Sequence, residues 1–372
     1  MKTLLFISNY HIDSEWLMCD GVMKKITLEI ATLKQLNFNV SYIAIKGESV
    51  YLCESNQTIL ICSVSKSFHF MMKQIFQNLL KRGFFHYDYI YYRYEHISLS
   101  MLKYFRKVSK NLGKVIAELP TYQEKWEPHT PLKGILLFLM KRILNEFPFK
   151  FIDLIVTFSE HKKIYGIPAI QIENFVDVDS IPISLKKDNS TDIRLIGVAM
   201  MTQSHGFDRV IRGLYNYYLD GSHKTKVYFD IVGDGAPKRE WEEMVQKLHL
   251  TNFVFFHGLK GGEELDALFN KADIGVASLA IFRKRCNKAS ELKIREYCAR
   301  GIPFIYSAFE PILADTGFCL RVPHDDSFID INLVLEFYNE IINKDCKQEM
   351  RHFAEQFCTC KSQFEKVILR II

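Results

Sequence analysis

No stretch of this chain approaches the roughly 18 consecutive apolar residues that a membrane-spanning helix needs. The opening Met1-Lys2-Thr3-Leu4-Leu5-Phe6-Ile7 is too short an apolar core for a secretory signal before Ser8, Asn9 and His11 intervene. Cysteine occurs nine times but scattered, and only Cys358 and Cys360 come close together. An odd, unpatterned set argues against a disulfide framework and for reduced thiols in a cytosol. No His/Cys cluster completes a metal set. The six-residue glycine fingerprint of dinucleotide binding is missing, as are a P-loop and a nucleophile elbow, which counts against a dehydrogenase and against those two catalytic classes. Low-complexity tracts and short repeats are missing too.

What is present is an ordinary globular composition, 48% apolar and 24% charged, so disorder and coiled coil are excluded. At 372 residues the chain exceeds one compact core and fits two domains. A net charge of +5 permits attraction to an anionic ligand or membrane without implying nucleic acid. Short apolar runs alternate with longer amphipathic ones, the sign of parallel sheets wrapped by helices. In the first half, Leu4–Ile7, Val40–Ile45, Tyr87–Tyr92, Val115–Leu119 and Leu154–Phe158 read as strands, with a helix over 22–36. The Pro-, Lys- and Asn-bearing stretch Asp177–Asp192 reads as an exposed linker. The second half repeats the pattern, with strands at Arg194–Val198, Lys226–Val232, Val254–Phe256, Ile274–Ser278 and 304–306, and helices near 331–343 and 347–370. The expected fold is α/β, two Rossmann-like doubly wound domains facing across a cleft, the architecture called GT-B, with ligands at the carboxyl ends of the strands. The expected bounds are 1–178 for the first domain, 179–192 for the linker, 193–350 for the second, and a helix over 351–372 returning to the first.

Residues 288–303 carry the sharpest chemistry. A basic, polar opening leads into a short helix bearing Glu296, which Gly301 and Pro303 end. A helix N-terminus with lysines suits a diphosphate, and a carboxylate one turn further in suits ribose hydroxyls. Elsewhere, Gly197 at a strand end, with His205 and Arg209 at the next helix, is a candidate for phosphate approach or an ordinary strand–helix turn. Gly233 and His257 lie at further strand ends, and Arg283 and Lys284 just past another. Asp177-Val178-Asp179 has the letters of a metal motif but falls in the linker, so no metal is expected.

Taken in order, Gly197…His205-Gly206-Phe207-Asp208-Arg209, Val232-Gly233-Asp234-Gly235, Phe256-His257-Gly258, Ala272-Asp273-Ile274-Gly275 and Leu292–Pro303 resemble the donor domain of family 4 glycosyltransferases, the large retaining GT-B group. Tyr87–Tyr94, Glu118–Tyr122 and Ile172–Asp177 of the first half agree with it, so the resemblance spans nearly the whole chain. Within that group it is similar to enzymes of bacterial capsular and exopolysaccharide clusters.

The resemblance implies a donor domain in the second half and an acceptor-binding domain in the first. It implies transfer, with retention, of a hexose from a nucleotide-diphosphate sugar, UDP by expectation, onto a glycan or polyprenyl-diphosphate-linked acceptor. Glu296 would hold the ribose hydroxyls, and Lys293 and the Leu292 backbone would meet the diphosphate, assisted by Arg283 and Lys284. Gly21 matches the glycine-bearing loop. Glu118, by its place at a strand end, is a candidate to touch the acceptor or donor sugar or else a structural carboxylate. Lys288 stands where the family has its first glutamate, with Glu291 as a substitute in a different register; His205 stands where many members have lysine. A non-catalytic GT-B partner subunit is the other reading, kept open by Lys288. The apolar, basic stretch 132–151 reads either as an interfacial membrane anchor or as a buried helix of the first domain, which periodicity alone does not separate; the expected location is the cytoplasm, at the inner face of the plasma membrane if the stretch is an anchor.

Overall fold

The computed structural model describes residues 1–12, 21–63, 68–93, 98–119, 150–185, 192–219, 221, 223, 225–313, 316–342, 344 and 346–371. The chain divides into two compact units, Met1–Glu173 with Cys360–Ile372, and Asn174–Thr359. The stretch 132–149, most of the expected membrane segment, lies outside the described residues.

The first unit is built on a nine-stranded sheet. Its strands are β1 (Lys2–Ile7), β2 (Phe38–Lys46), β3 (Ser49–Cys53), β4 (Thr58–Ser63), β5 (Tyr89–Arg93), β6 (Lys114–Glu118), β7 (Leu154–Thr157), β8 (Lys163–Ile164) and β9 (Ile167–Gln171). The spatial order is β4-β3-β2-β1-β5-β6-β7-β9-β8. The central strands are parallel and the edge pairs β2–β3, β3–β4 and β8–β9 antiparallel. Parallel strands buried on both faces read as continuous apolar runs, which is why β1, β5 and β6 are visible in the sequence. The helices are α1 (Gly21–Gln35), α2 (Phe68–Lys81), α3 (Leu99–Lys110) and the chain's last, Cys360–Ile371. Ser98 caps α3 by accepting the Met101 N–H, and Met101, Leu102, Phe105 and Val108 bury its inner face.

The second unit has six parallel strands, β10 (Ile193–Met201), β11 (Val227–Gly235), β12 (Val254–Phe256), β13 (Ile274–Val276), β14 (Phe304–Tyr306) and β15 (Cys319–Arg321). Their order is β12-β11-β10-β13-β14-β15. The connections reverse direction between β10 and β13, so the carboxyl ends of these two strands form the topological switch point where such sheets bind ligands. Six helices surround them: α4 (Phe207–Tyr218), α5 (Lys238–Lys247), α6 (Gly262–Phe269), α7 (Leu292–Arg300), α8 (Ile331–Ile341) and α9 (Cys346–Phe357).

Two expectations are corrected here. The segment read as an exposed linker is anchored at two points: Val178 and Ser184 are buried, with Asp179, Ser180, Pro182 and Leu185 exposed, and Ser184 bonds Arg300 O through its N–H and Phe269 O through its hydroxyl. The single helix expected over 347–370 is two, because the backbone leaves the helix at Cys358-Thr359, where Cys358 O accepts the Val176 N–H.

Candidate functional site

The site is assembled by the turn after β10 and by the loop between β13 and α7. Residues Gln203–His205 form a 3-10 turn that Gly206 converts into α4. Gly206 has φ +65°, and a side chain there would strike Ala280 at 2.8 Å. Only glycine lets the two segments close up in this conformation. They are then joined by backbone bonds, Leu279 N–H to His205 O at 2.9 Å and Ala280 N–H to Ser204 O at 3.1 Å.

α7 opens into this corner, and its first turn is fixed from below. Arg295 and Glu310, both fully buried, make a two-pronged ion pair at 2.7 and 2.9 Å. Arg295 also donates to Glu291 O, while Glu310 accepts the Glu291 N–H. Asn174 donates its backbone N–H to the Ser290 hydroxyl. The Glu291 carboxylate accepts the Ser278 N–H at the end of β13, 3.0 Å away.

Within this frame Lys293 is unusual. Its side chain is only 12% exposed, and Nζ has no hydrogen-bond partner among the described residues. The ammonium sits 5.6 Å from the centre of the Phe207 ring, and Glu291 Oε2 at 3.9 Å is too far for a hydrogen bond. Burial lowers its pKa to about 8; Glu291 resists the shift and Lys284 adds to it. His205 lies close enough to Lys293 and Lys284 to feel both charges. Burial, then Lys293, hold its pKa down at about 3, so the ring is neutral at pH 7. His205 Nδ1 accepts the Thr202 N–H at 2.9 Å, which puts the proton on Nε2 and makes that atom a donor. A buried ammonium with no hydrogen bond among the described residues, a neutral N–H donor and the first turn of a nine-residue helix thus share one corner. Such a set accepts an anion with several oxygens.

The structure brings His205, Lys284, Glu291, Leu292 and Lys293 together and places other sequence candidates differently. Arg209 is fully buried and spends its guanidinium on the carbonyls of Ser327, Leu279 and Pro323, so it braces loops rather than meeting phosphate. Arg283 is held by both oxygens of Asp208 at 2.8 Å, by Asp326 and by Gln203 O; hydrogen bonding to Asp208 raises its pKa. Its charge is already neutralised. Gly197 is not at a strand end but in the middle of β10, where an added Cβ would lie 2.7 Å from the Phe207 ring. Gly233, φ +122°, lets β11 run beside Ala199 O, which a side chain would meet at 1.8 Å. His257 bonds Asp230 at 2.7 Å, and Asp230 also holds Arg194, a brace within the sheet. Lys288 lies 5.4 Å from the ring centre of Phe309. Glu296, one turn along α7, receives two bonds from Arg300 on Oε1, while Oε2 has none among the described residues.

Two candidates fall in the first unit. Gly21 is the first residue of α1. Glu118 is fully buried in a ring of charges: Lys25 and Arg93 each lie 3.6–3.7 Å from both Glu29 and Glu118, and Tyr91 donates to Glu118 at 3.0 Å. It is therefore part of an internal cluster rather than a group facing substrate. Burial, then the Glu118 charge, raise the Glu29 pKa to about 8. Sequence reasoning did not single out Thr202, Phe207, Arg295 and Glu310, which contact His205, Lys293 and the start of α7. Only the i, i+4 pair Lys25–Glu29 on a recognisable helix signalled the charge cluster.

No protein-family model and no curated protein matches this chain, but solved structures do. A glycosyltransferase from Rickettsia africae superposes with TM-score 0.62 at 15% identity, over 100% of this chain and 97% of its own. Anabaena HepE in complex with UDP gives 0.61 at 13%, over 100% of both chains. WaaB, a lipopolysaccharide outer core galactosyltransferase, gives 0.60 at 12%, again over 100% of both. The chain has the GT-B glycosyltransferase fold.

Proposed function

We propose that the protein is a retaining glycosyltransferase that moves a hexose from a nucleotide-diphosphate sugar, UDP-linked, to a glycan or lipid-linked acceptor in bacterial surface polysaccharide synthesis. The observation that carries this reading is the Lys293 ammonium, buried without a hydrogen-bond partner among the described residues at the switch point of the second sheet. A buried charge is tolerated when a ligand completes it, and a diphosphate supplies the missing partner. Lys293, the His205 Nε2–H and the N–H groups of the first turn of α7 would receive the diphosphate, and Glu296 Oε2 the ribose hydroxyls. The UDP bound by Anabaena HepE supports the choice of nucleotide. As the bond to the sugar breaks, negative charge grows on the leaving diphosphate. Fixed cations and a helix terminus stabilise that charge without reorganising, which is the largest contribution such a site can make. The acceptor would attack from the face the diphosphate leaves, with no protein nucleophile and no divalent ion.

The test is release of nucleotide from a panel of nucleotide sugars, with and without a lipid-like acceptor, in the presence and absence of a chelator. Turnover of a UDP-sugar that survives chelation is the expected result, and Glu296→Ala should abolish UDP binding. UDP binding with no turnover of any donor would replace this reading with the non-catalytic partner subunit. Unchanged affinity in Glu296→Ala would remove Glu296 from the site.

A further inference from the structure

Beside the start of α7 the second unit exposes an aromatic ring with two cations over it. Phe309 follows β14 and is 42% exposed, whereas phenylalanine is among the side chains most often buried. Lys288 Nζ lies 5.4 Å from the ring centre, and the guanidinium carbon of Arg321, at the end of β15, lies 5.8 Å from it. Backbone bonds hold this platform still. The Phe309 N–H donates to Asn287 O at 2.9 Å, and the Ala289 N–H donates to Phe309 O at 3.1 Å. His324 adds a third tie, with Nε2 3.1 Å from Cys286 O and Nδ1 3.2 Å from Ser307 Oγ. The residue after Phe309 is Glu310, whose carboxylate accepts the Glu291 N–H and pairs with Arg295. The platform is thus built on the same frame as the Lys293 corner, at the carboxyl ends of the strands next to the switch point. Among the described residues the Arg321 guanidinium makes one hydrogen bond, from Nε to Ser307 O at 3.3 Å, and no ion pair.

We propose that this platform receives the sugar of the donor, and that the sugar is a hexuronic acid. Its carboxylate is held by Lys288 and Arg321, and the apolar C–H face of its ring lies on Phe309. The inference rests on the donor reading given above and names the class of sugar that the donor carries. The choice follows from the kinds of group on offer. A sugar hydroxyl both donates and accepts, whereas lysine and arginine only donate, so a pair of cations leaves the O–H of a neutral hexose unanswered. A carboxylate only accepts, and the planar guanidinium matches it with two parallel bonds. Two like charges gathered at one ring also repel each other, and an anion between them removes that cost. The exposed ring supplies what a carboxylate alone does not need, an apolar surface that is covered when a sugar ring settles on it. The diphosphate does not compete for these cations, because Lys293 and the first turn of α7 receive it.

Calorimetric titration of the full-length protein tests it, with UDP alone, UDP-glucuronate against UDP-glucose, and UDP-galacturonate against UDP-galactose. In at least one pair the acidic sugar should bind about tenfold or more tightly than its neutral counterpart, the worth of a charge-assisted hydrogen bond. Lys288→Glu should reverse that preference, because it sets a carboxylate against a carboxylate and offers an acceptor to a hydroxyl. Arg321→Gln, a change at an exposed position, should cut the preference to a few-fold and keeps the test open if Lys288→Glu folds poorly. The preference is a ratio between ligands that share one UDP, so a general loss of donor binding cancels from it. UDP bound by the parent with no preference for the acid in either pair overturns this proposal and leaves the donor reading standing. A preference that both variants keep unchanged overturns the assignment of the carboxylate to Lys288 and Arg321. A parent that does not bind UDP overturns the donor reading and this proposal together.

Discussion

Replacing Lys293 with methionine should make the protein more stable and, at the same time, a worse binder of UDP. The pKa falls from an ordinary 10.5 to about 8, which corresponds to about 3 kcal/mol spent on keeping the charge in the folded, ligand-free state. Because the folded pKa lies below the unfolded one, that penalty is present in full below about pH 8 and is gone above pH 10.5. Lys293→Met removes it, so urea unfolding at pH 7 should show the variant more stable by up to about 3 kcal/mol, with the advantage shrinking as pH rises toward 10.5. Methionine keeps most of the stem that lies over Phe207, so packing changes little. The cost appears in binding. Loss of a charge-assisted hydrogen bond of about 1.5–3 kcal/mol weakens UDP by about 10- to 100-fold. A diphosphate beside Nζ also restores its proton affinity, so calorimetry at pH 8 in buffers of different ionisation enthalpy should detect uptake of about half a proton by the parent. The variant should take up none. A variant that is less stable than the parent while binding UDP with unchanged affinity and proton uptake would refute the assignment of Lys293 to a phosphate.

Three further outcomes follow from the packing and the charges. Gly197→Ala places a methyl 2.7 Å from the Phe207 ring and should cost about 1–3 kcal/mol in urea unfolding, disturbing the floor beneath Lys293. Glu310→Ala strands the buried Arg295 guanidinium and should cost about 3–5 kcal/mol by the same measurement, with UDP binding weakened because the first turn of α7 loses its anchor. For Glu29 the folded pKa is raised to about 8, so its contribution is present in full below about pH 4.5 and lost as pH rises to about 8. Thermal melting of Glu29→Gln should therefore resemble the parent near pH 5 and lose less stability than the parent between pH 5 and 8.

Much of the architecture was legible because each central strand is a short apolar run, and runs of that kind arise when a parallel sheet is covered on both faces. The helix after Leu292 was legible for a local reason as well: its apolar spacing ends at Gly301 and Pro303. The antiparallel hairpin Ser49–Ser63 and helices α2 and α3 were not read, since their signals are weaker than those of the sheet's centre. Within the site, Lys293 and His205 were visible as basic residues at the right turns. Arg209 and Arg283 looked equally suitable. What separates them is pairing: Arg283 meets Asp208 across 75 positions of sequence, and Arg209 meets Ser327 across 118. Glu118 stood at a strand end, as expected of a group facing substrate, but its partners Lys25 and Glu29 arrive on α1 and close it in.

The sequence by itself determined two doubly wound units and the place along the chain where α7 begins, because periodicity, capping glycines and strand composition act over a few residues. Tertiary structure alone decided which cation is buried without a hydrogen bond among the described residues. Coulomb attraction and desolvation depend on distances between side chains that folding brings together, and those distances leave Lys293 Nζ without a hydrogen bond among the described residues while Asp208 neutralises Arg283.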